Sequence, residues 1–329
     1  NELKNAFDNL SSESLIAAYI SLNINNFLVF KLLSKYKVDY FTRSGASITH
    51  HPQFAKQTFK KKIKFFFKKR PRLFIQYFLN FFLKITPFKM FGISNVPIYF
   101  KDSKVADIKK SLSKKLLGKN TKIILSHHRD YDVYLKCKNN NENKNKCDAV
   151  FLDVNFGFHN DYITYEEHTD PKKWYESLQV FFDFLKEKYA INTTVCAHPR
   201  SNGEINNLIK GYPIIKNKTP DMVKNCNFVM CQSSTAINFA ALFKKPLIFI
   251  YNHVAINSNK SKVNHAGQVD FFAKQFNKRP INIENLKNFD LKKELEIDKS
   301  SYNEFISKYI KSWGTDQSQG EMIFDLLKT

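Results

Sequence analysis

From Ala149 to Ile283 the chain alternates short apolar runs with amphipathic helical patterns, and this alternation restricts the fold more than any other feature. The runs are AVFLDV (149–154), TTVCA (193–197), YPIIK (212–216), FVMC (228–231), PLIFIY (246–251) and PINI (280–283). Strands that are apolar on both faces belong to a parallel sheet covered by helices on each side. Between the runs, residues 171–189 read as a helix with Asp170 as N-cap and Pro171 in its first turn. Thr219 is expected to cap a short helix, PDMVKNC. A further helix is expected over STAINFAALF and another around 266–276.

The first 130 residues read as mixed α/β. A helix over 26–36 leads into a strand at 38–42, a helix is expected over 108–117, and a strand at 121–128 ends in polar residues. The polar stretch KNNNENKNK (138–146) marks a loop and a domain boundary. The expected fold class is therefore α/β, with two Rossmann-like domains, 1–147 and 148–329, each a parallel sheet flanked by helices.

Charge narrows the partners. The 329 residues carry 52 Lys and Arg against 30 Asp and Glu, a formal net charge of +22. Such a field favours anionic partners. Heavy use of Lys, Asn, Ile and Phe with little Gly accounts for part of the excess as compositional bias. From Gln53 to Lys89 there are eleven basic residues and no acidic one, interleaved with large apolar side chains. This is the composition of a helix lying on an anionic membrane surface. In residues 73–88, Gln76, Asn80 and Lys84 recur every fourth position, an amphipathic pattern and not a spanning one. The N-terminus lacks the form of a signal peptide. Five cysteines without a CxxC pair give no readable disulfide or metal framework. The expected location is the cytoplasm, peripheral at the inner face of the membrane.

In open parallel sheets ligands bind beyond the carboxyl ends of the strands. Four of those ends are polar here. The first strand of the second half ends in Asp153 and runs on to His159 and Asp161. The next ends in His198-Pro199-Arg200, another in Gln232-Ser233-Ser234-Thr235, and the last in Asn252-His253. Three successive hydroxyl residues at a helix start exceed the need for one cap. They fit a phosphate held on exposed N–H groups. His198 and Arg200 suit the same anion, with His198 expected to reach in from the neighbouring strand.

Together, the AHPR strand end, the helix TPDMVKNC and the run FVMCQSSTAINFAALFKKPLIFI resemble the nucleotide-sugar half of GT-B glycosyltransferases over residues 148–285. The likeness is to bacterial surface-polysaccharide enzymes, the sialyltransferase and Kdo transferase group with HP and paired-serine motifs. It implies that His198, Arg200, Gln232, Ser233, Ser234 and Thr235 bind a nucleotide-sugar donor. It implies an acceptor-side N-terminal domain, a last helix crossing back to it, and chemistry with no metal and no cofactor beyond the donor. The acidic pair that serves as base in those sialyltransferases is absent before residue 130. Asp153, His159, Asp161 and Asp130 are the candidates for the proton acceptor an inverting transfer needs, with His127, His128 and Asp132 beside the last.

The function these features support is transfer of a sugar, first a CMP-activated acidic sugar and next a UDP-sugar, to a surface glycan or lipid-linked acceptor. A CDP-glycerol-type polyol-phosphate transferase fits the same strand–serine–helix run. A basic nucleic-acid-binding protein is the contrasting class, and the polar strand ends argue against it.

Overall fold

A computed structural model describes residues 15–18, 25–43, 71–104, 115–140, 147–159, 170–252, 265–311 and 313–328. In chain order the first elements are β1 (Leu15–Ala17), α1 (Phe27–Lys35), β2 (Asp39–Arg43), α2 (Pro71–Ile85), β3 (Ile98–Lys101), β4 (Lys122–Leu125) and α3 (Arg129–Asn139). Then come β5 (Cys147–Leu152), α4 (Pro171–Tyr189), β6 (Thr193–Ala197), β7 (Ile214–Lys216), α5 (Thr219–Asn225) and β8 (Cys226–Cys231). The chain continues through α6 (Ile237–Leu242), β9 (Leu247–Tyr251), α7 (His265–Lys274) and β10 (Ile281–Asn282). It ends with α8 (Leu291–Glu294), α9 (Lys299–Phe305) and α10 (Gln319–Leu327).

The chain forms two compact units. The first gathers the described residues up to His128 and from Lys311 onward; the second holds Arg129 to Ile310. Helix α3, which the sequence reading left on the N-terminal side of the boundary at 147, groups with the second unit. Lys224 of α5 holds it there. Its Nζ donates to the carbonyls of Cys137 at 2.8 Å and Asn140 at 2.7 Å, at the end of α3.

In the first unit the sheet order is β1-β2-β3-β4, all parallel. Phe30, Leu33, Tyr40, Leu83, Phe88 and Tyr99 make its core. At the carboxyl end of this sheet, Arg43 pairs with the fully buried Asp102 at 2.8 Å. Arg43 also donates to Gln319 of α10, whose Nε2 donates to Ser126 Oγ and to the His127 carbonyl. A buried carboxylate is tolerated only when paired and hydrogen-bonded in this way.

The second unit carries the sheet β10-β9-β8-β5-β6-β7, again wholly parallel. Alternate residues of its central strands, Ala149, Phe151, Val195, Ala197, Phe228, Met230, Ile248 and Ile250, pack with Trp174, Leu178, Phe181 and Phe182 of α4 in one core. Both faces are covered, which is why the strands read as continuous apolar runs. Asp170 caps α4 as expected, accepting from the Lys173 N–H. Thr219 does not cap α5. It is the first helical residue, and Lys218 precedes it without a side-chain cap bond. The free thiols of Cys196, Cys226 and Cys231 are buried, and burial pushes those of Cys196 and Cys226 up to about 12, so they serve as small apolar side chains.

Candidate functional site

Strand order decides where the second unit can hold a ligand. The chain enters the sheet at β5, steps outward through β6 and β7, then returns to the other side of β5 and continues through β8, β9 and β10. The crossover direction reverses between β5 and β8. In open parallel sheets helices on either side of such a point lie on opposite faces, and the carboxyl ends of these two strands are where a ligand crevice forms.

Register then fixes which residues line the crevice. Leu152 is opposite Cys196 on one side and Cys231 on the other. One residue further, Asp153 lies between Ala197 and Gln232, and the Asp153 N–H continues the ladder to the Cys196 carbonyl at 3.0 Å. Val154, His198 and Ser233 follow on the continuations of β5, β6 and β8. His198 and Ser233 are therefore not on neighbouring strands as the sequence reading expected. β5 separates them, by two inter-strand spacings or about 10 Å. Strand order is set by tertiary packing and leaves no trace in sequence order.

Asp153 belongs to the same alternating series as Ala149 and Phe151, so its carboxylate turns toward α4. Tyr175 of α4 donates its hydroxyl to Oδ1 at 2.9 Å, and the Asn155 N–H donates to Oδ2 at 3.0 Å. Backbone N–H groups of His198 and Val154 add to this. Burial nevertheless raises its pKa from 3.8 to about 6, with the hydrogen bonds opposing the rise. A carboxylate so enclosed clamps the ends of β5 and β6 together.

The chain then turns through Asn155 and Gly157, both at positive φ, to His159. At Gly157 a Cβ would lie 2.8 Å from the Pro171 side chain, so both conformation and space demand glycine there. The half-buried His159 meets His198 edge to face, with ring centroids 5.1 Å apart.

His198 opens a tightly bonded loop. Its Nδ1 accepts from the Arg200 N–H at 3.1 Å, which leaves Nε2 as the protonated nitrogen of the neutral ring. The Ser201 N–H donates to the His198 carbonyl, and Ser201 Oγ and the Asn202 N–H both donate to Glu204 Oε2. Arg200 itself is exposed.

Across β5, the segment after β8 departs from expectation. Helix α6 begins only at Ile237, and Ala236, not a serine, occupies its cap position. Ser234 and Thr235 form a tighter turn in which their carbonyls accept from the N–H groups of Ile237 and Asn238. Ser234 Oγ accepts from the Ala236 N–H at 3.3 Å. The polar rim at this point is thus a turn ahead of a six-residue helix. Gln232, the residue after β8, is buried, and its Oε1 has no hydrogen-bond partner among the described residues.

The other candidates lie elsewhere. Asp130 lies in the first turn of α3, and its Oδ2 accepts from Asn238 Nδ2 of α6 at 2.8 Å. Asp132 is on the same helix, while His127 and His128 belong to the first unit. Asp161 and His253 fall outside the described residues. No group of three His, Cys, Asp or Glu able to hold a metal occurs among the described residues. Two participants were missed from sequence. Tyr175 lies inside the helical run 171–189, where nothing in the sequence singles it out. Asn155 read only as loop, although a non-glycine residue that tolerates positive φ was a usable signal.

No family model and no curated protein matches this sequence. Solved structures do match. A UDP-N-acetylglucosamine 2-epimerase aligns over 99% of this chain and 75% of its own, at 11% identity and a TM-score of 0.51. A Listeria monocytogenes protein assigned as the same enzyme aligns over 99% and 78%, at 11% identity and a TM-score of 0.50. The UDP-GlcNAc 2-epimerase of Methanocaldococcus jannaschii aligns over 100% and 80%, at 12% identity and a TM-score of 0.47. The first two show the fold: this chain is α/β with two Rossmann-like units of the GT-B type.

Proposed function

We propose that this chain is an enzyme acting on a nucleotide-activated sugar, with the donor's phosphate at the crevice between β5 and β8. The observation that supports this most directly is the reversal of strand order, which sets Gln232 to Thr235 on one side of Asp153 and the His198 loop on the other. In this reading the backbone and hydroxyls of Ser233, Ser234 and Thr235 bind one phosphate oxygen set. His198 Nε2–H donates to the phosphate from across β5, and the exposed Arg200 adds a fork-shaped cation. The unpaired Gln232 Oε1 accepts from a ligand N–H or O–H.

Sugar transfer is the reaction we favour. The proton acceptor is then His159, which is half-buried beside His198, whereas Asp153 is enclosed by its own donors. As donor, the HP and paired-serine resemblance favours a CMP-linked acidic sugar. The fold likeness to proteins named for a UDP-sugar makes UDP-N-acetylglucosamine the second. A CDP-linked polyol fits the same rim, and a surface glycan or lipid-linked acceptor completes the reading.

The test is ligand-induced thermal stabilisation by CMP, CDP, UDP and GDP, followed by donor-consumption assays with the ligand that binds. A ligand at about 100 times its Kd adds about 2.7 kcal/mol of stability. No stabilisation by any nucleotide, together with tight salt-dependent binding of RNA or DNA, would transfer the assignment to nucleic-acid binding.

A further inference from the structure

Helix α2 is amphipathic with the wrong side outward for a protein surrounded only by water. At 3.6 residues per turn, Phe81, Ile85, Phe78, Phe82, Ile75 and Leu79 fill one continuous arc of about 160°. All six are exposed, Ile85 at 62%, Phe78 at 58% and Ile75 at 56%. The positions of Gln76, Asn80 and Lys84 lie on the opposite side of the helix. Of the residues whose burial is defined in α2, only Leu83 enters the core of the first unit. The apolar surface continues past the helix into the 3₁₀ turn Phe88–Phe91, where Met90 is 76% exposed and Phe82 touches Phe91 with centroids 6.5 Å apart. Scattered exposed apolar residues are ordinary, whereas a contiguous patch of aromatic and branched side chains marks a docking face.

Charge selects the occupant. The eleven basic residues between 53 and 89 have no acidic residue among them, and Lys89 is exposed at the edge of the patch. Residues 53–70 lie outside the described residues, so the geometry here rests on α2 and the turn after it. A second copy of the chain would bring the same cationic segment against this one, and the two would repel. Nucleic acid would satisfy the charge and could stack bases on Phe78, Phe81 and Phe82, but Ile75, Leu79 and Ile85 offer no stacking plane, so half of the arc would gain nothing from it. A bilayer with anionic headgroups satisfies both requirements, taking the apolar arc into the acyl boundary and the basic residues among the phosphates.

We infer that the outward face of α2, continued by Met90, docks this protein on an anionic lipid surface. No helix among the described residues is long and apolar enough to cross a membrane, so the helix lies in the surface plane. This inference does not depend on the proposed enzymatic activity.

The experiment is vesicle flotation of the full chain with phosphatidylcholine alone and with phosphatidylcholine mixed with phosphatidylglycerol, at low and high salt. The protein floats with the anionic vesicles and not with the neutral ones, and salt weakens the binding. The double variant Phe78→Ser/Phe82→Ser, at exposed positions, keeps the wild-type circular dichroism and unfolding temperature. It loses about tenfold or more in partition. Wild-type protein that stays in the aqueous fraction with anionic vesicles overturns the inference, as does a folded double variant that floats as well as wild type. A dimer or an RNA complex that the same substitutions abolish, without vesicle binding, assigns the face to that partner instead.

Discussion

The imidazoles of His159 and His198 meet edge to face, ring centroids 5.1 Å apart, although the two residues leave different strands. The Gly157 turn brings one of them there, and the Arg200 N–H bond to Nδ1 holds the other. Each depends on backbone geometry that substitution can test separately.

His198→Ala removes a donor to a charged ligand without disturbing the core, because the side chain lies beyond the end of β6. A hydrogen bond to a charged group contributes about 1.5–3 kcal/mol, so nucleotide affinity falls about 10- to 100-fold. Ser234→Ala also weakens binding, and by less, since it removes one neutral hydroxyl donor while the neighbouring hydroxyls and backbone N–H groups remain. Titration calorimetry with the best-binding nucleotide measures both. Wild-type affinity in the two variants would remove this rim from donor binding.

Tyr175→Phe takes a donor from a buried carboxylate. At neutral pH it destabilises the second unit by about 1.5–3 kcal/mol. Asp153 has its folded pKa raised from 3.8 to about 6, so the folded state binds a proton more tightly than the unfolded one. In wild type the Asp153 contribution to stability therefore increases as pH falls from about 6 to about 4, by up to about 3 kcal/mol. The Tyr175 bond favours the ionised form, so the variant's deficit is largest above pH 6 and shrinks toward pH 4. Denaturant unfolding of both proteins across this range checks it; a deficit independent of pH would mean that Tyr175 acts through packing alone.

Gly157→Ala forces a Cβ against Pro171 in a left-handed backbone conformation. We expect about 1–3 kcal/mol of destabilisation from strain, and a displaced His159. Donor turnover drops more than nucleotide affinity, because the phosphate contacts sit on other strands. Equal losses in turnover and affinity would count against a role for His159 in the chemistry.

Arg43→Ala leaves Asp102 buried without its cation. Breaking such a pair costs about 3–5 kcal/mol, felt in the first unit, where Arg43 also holds Gln319 of α10. Double substitution of Arg43 and Asp102 by apolar residues of similar volume recovers most of the loss. Calorimetric unfolding of the single and double variants provides the comparison.

Much of the second unit was legible because the signals were local. Asp170 and Pro171 mark the start of α4, and its helical pattern runs unbroken to Tyr189. β6 matches the TTVCA run residue for residue. α3 was missed because Arg129–Asn139 has little apolar periodicity. Its place depends on Lys224, 84 residues away at its nearest bond, a contact no window can see. The serine turn misled for a related reason. Hydroxyl residues before an apolar helix read as a cap, yet here they bend the chain one turn earlier.

By itself the sequence determined that this chain builds a parallel sheet covered on both faces and that the carboxyl ends of its strands are polar. Apolar runs and cap residues act within a few positions of one another, so they can be read along the chain. Which strands are neighbours, and hence that β5 stands between His198 and Ser233 and that Asp153 is enclosed by Tyr175, was decided only by tertiary structure. Those outcomes come from how helices of fixed length pack across the sheet, a competition among distant contacts that no single segment encodes.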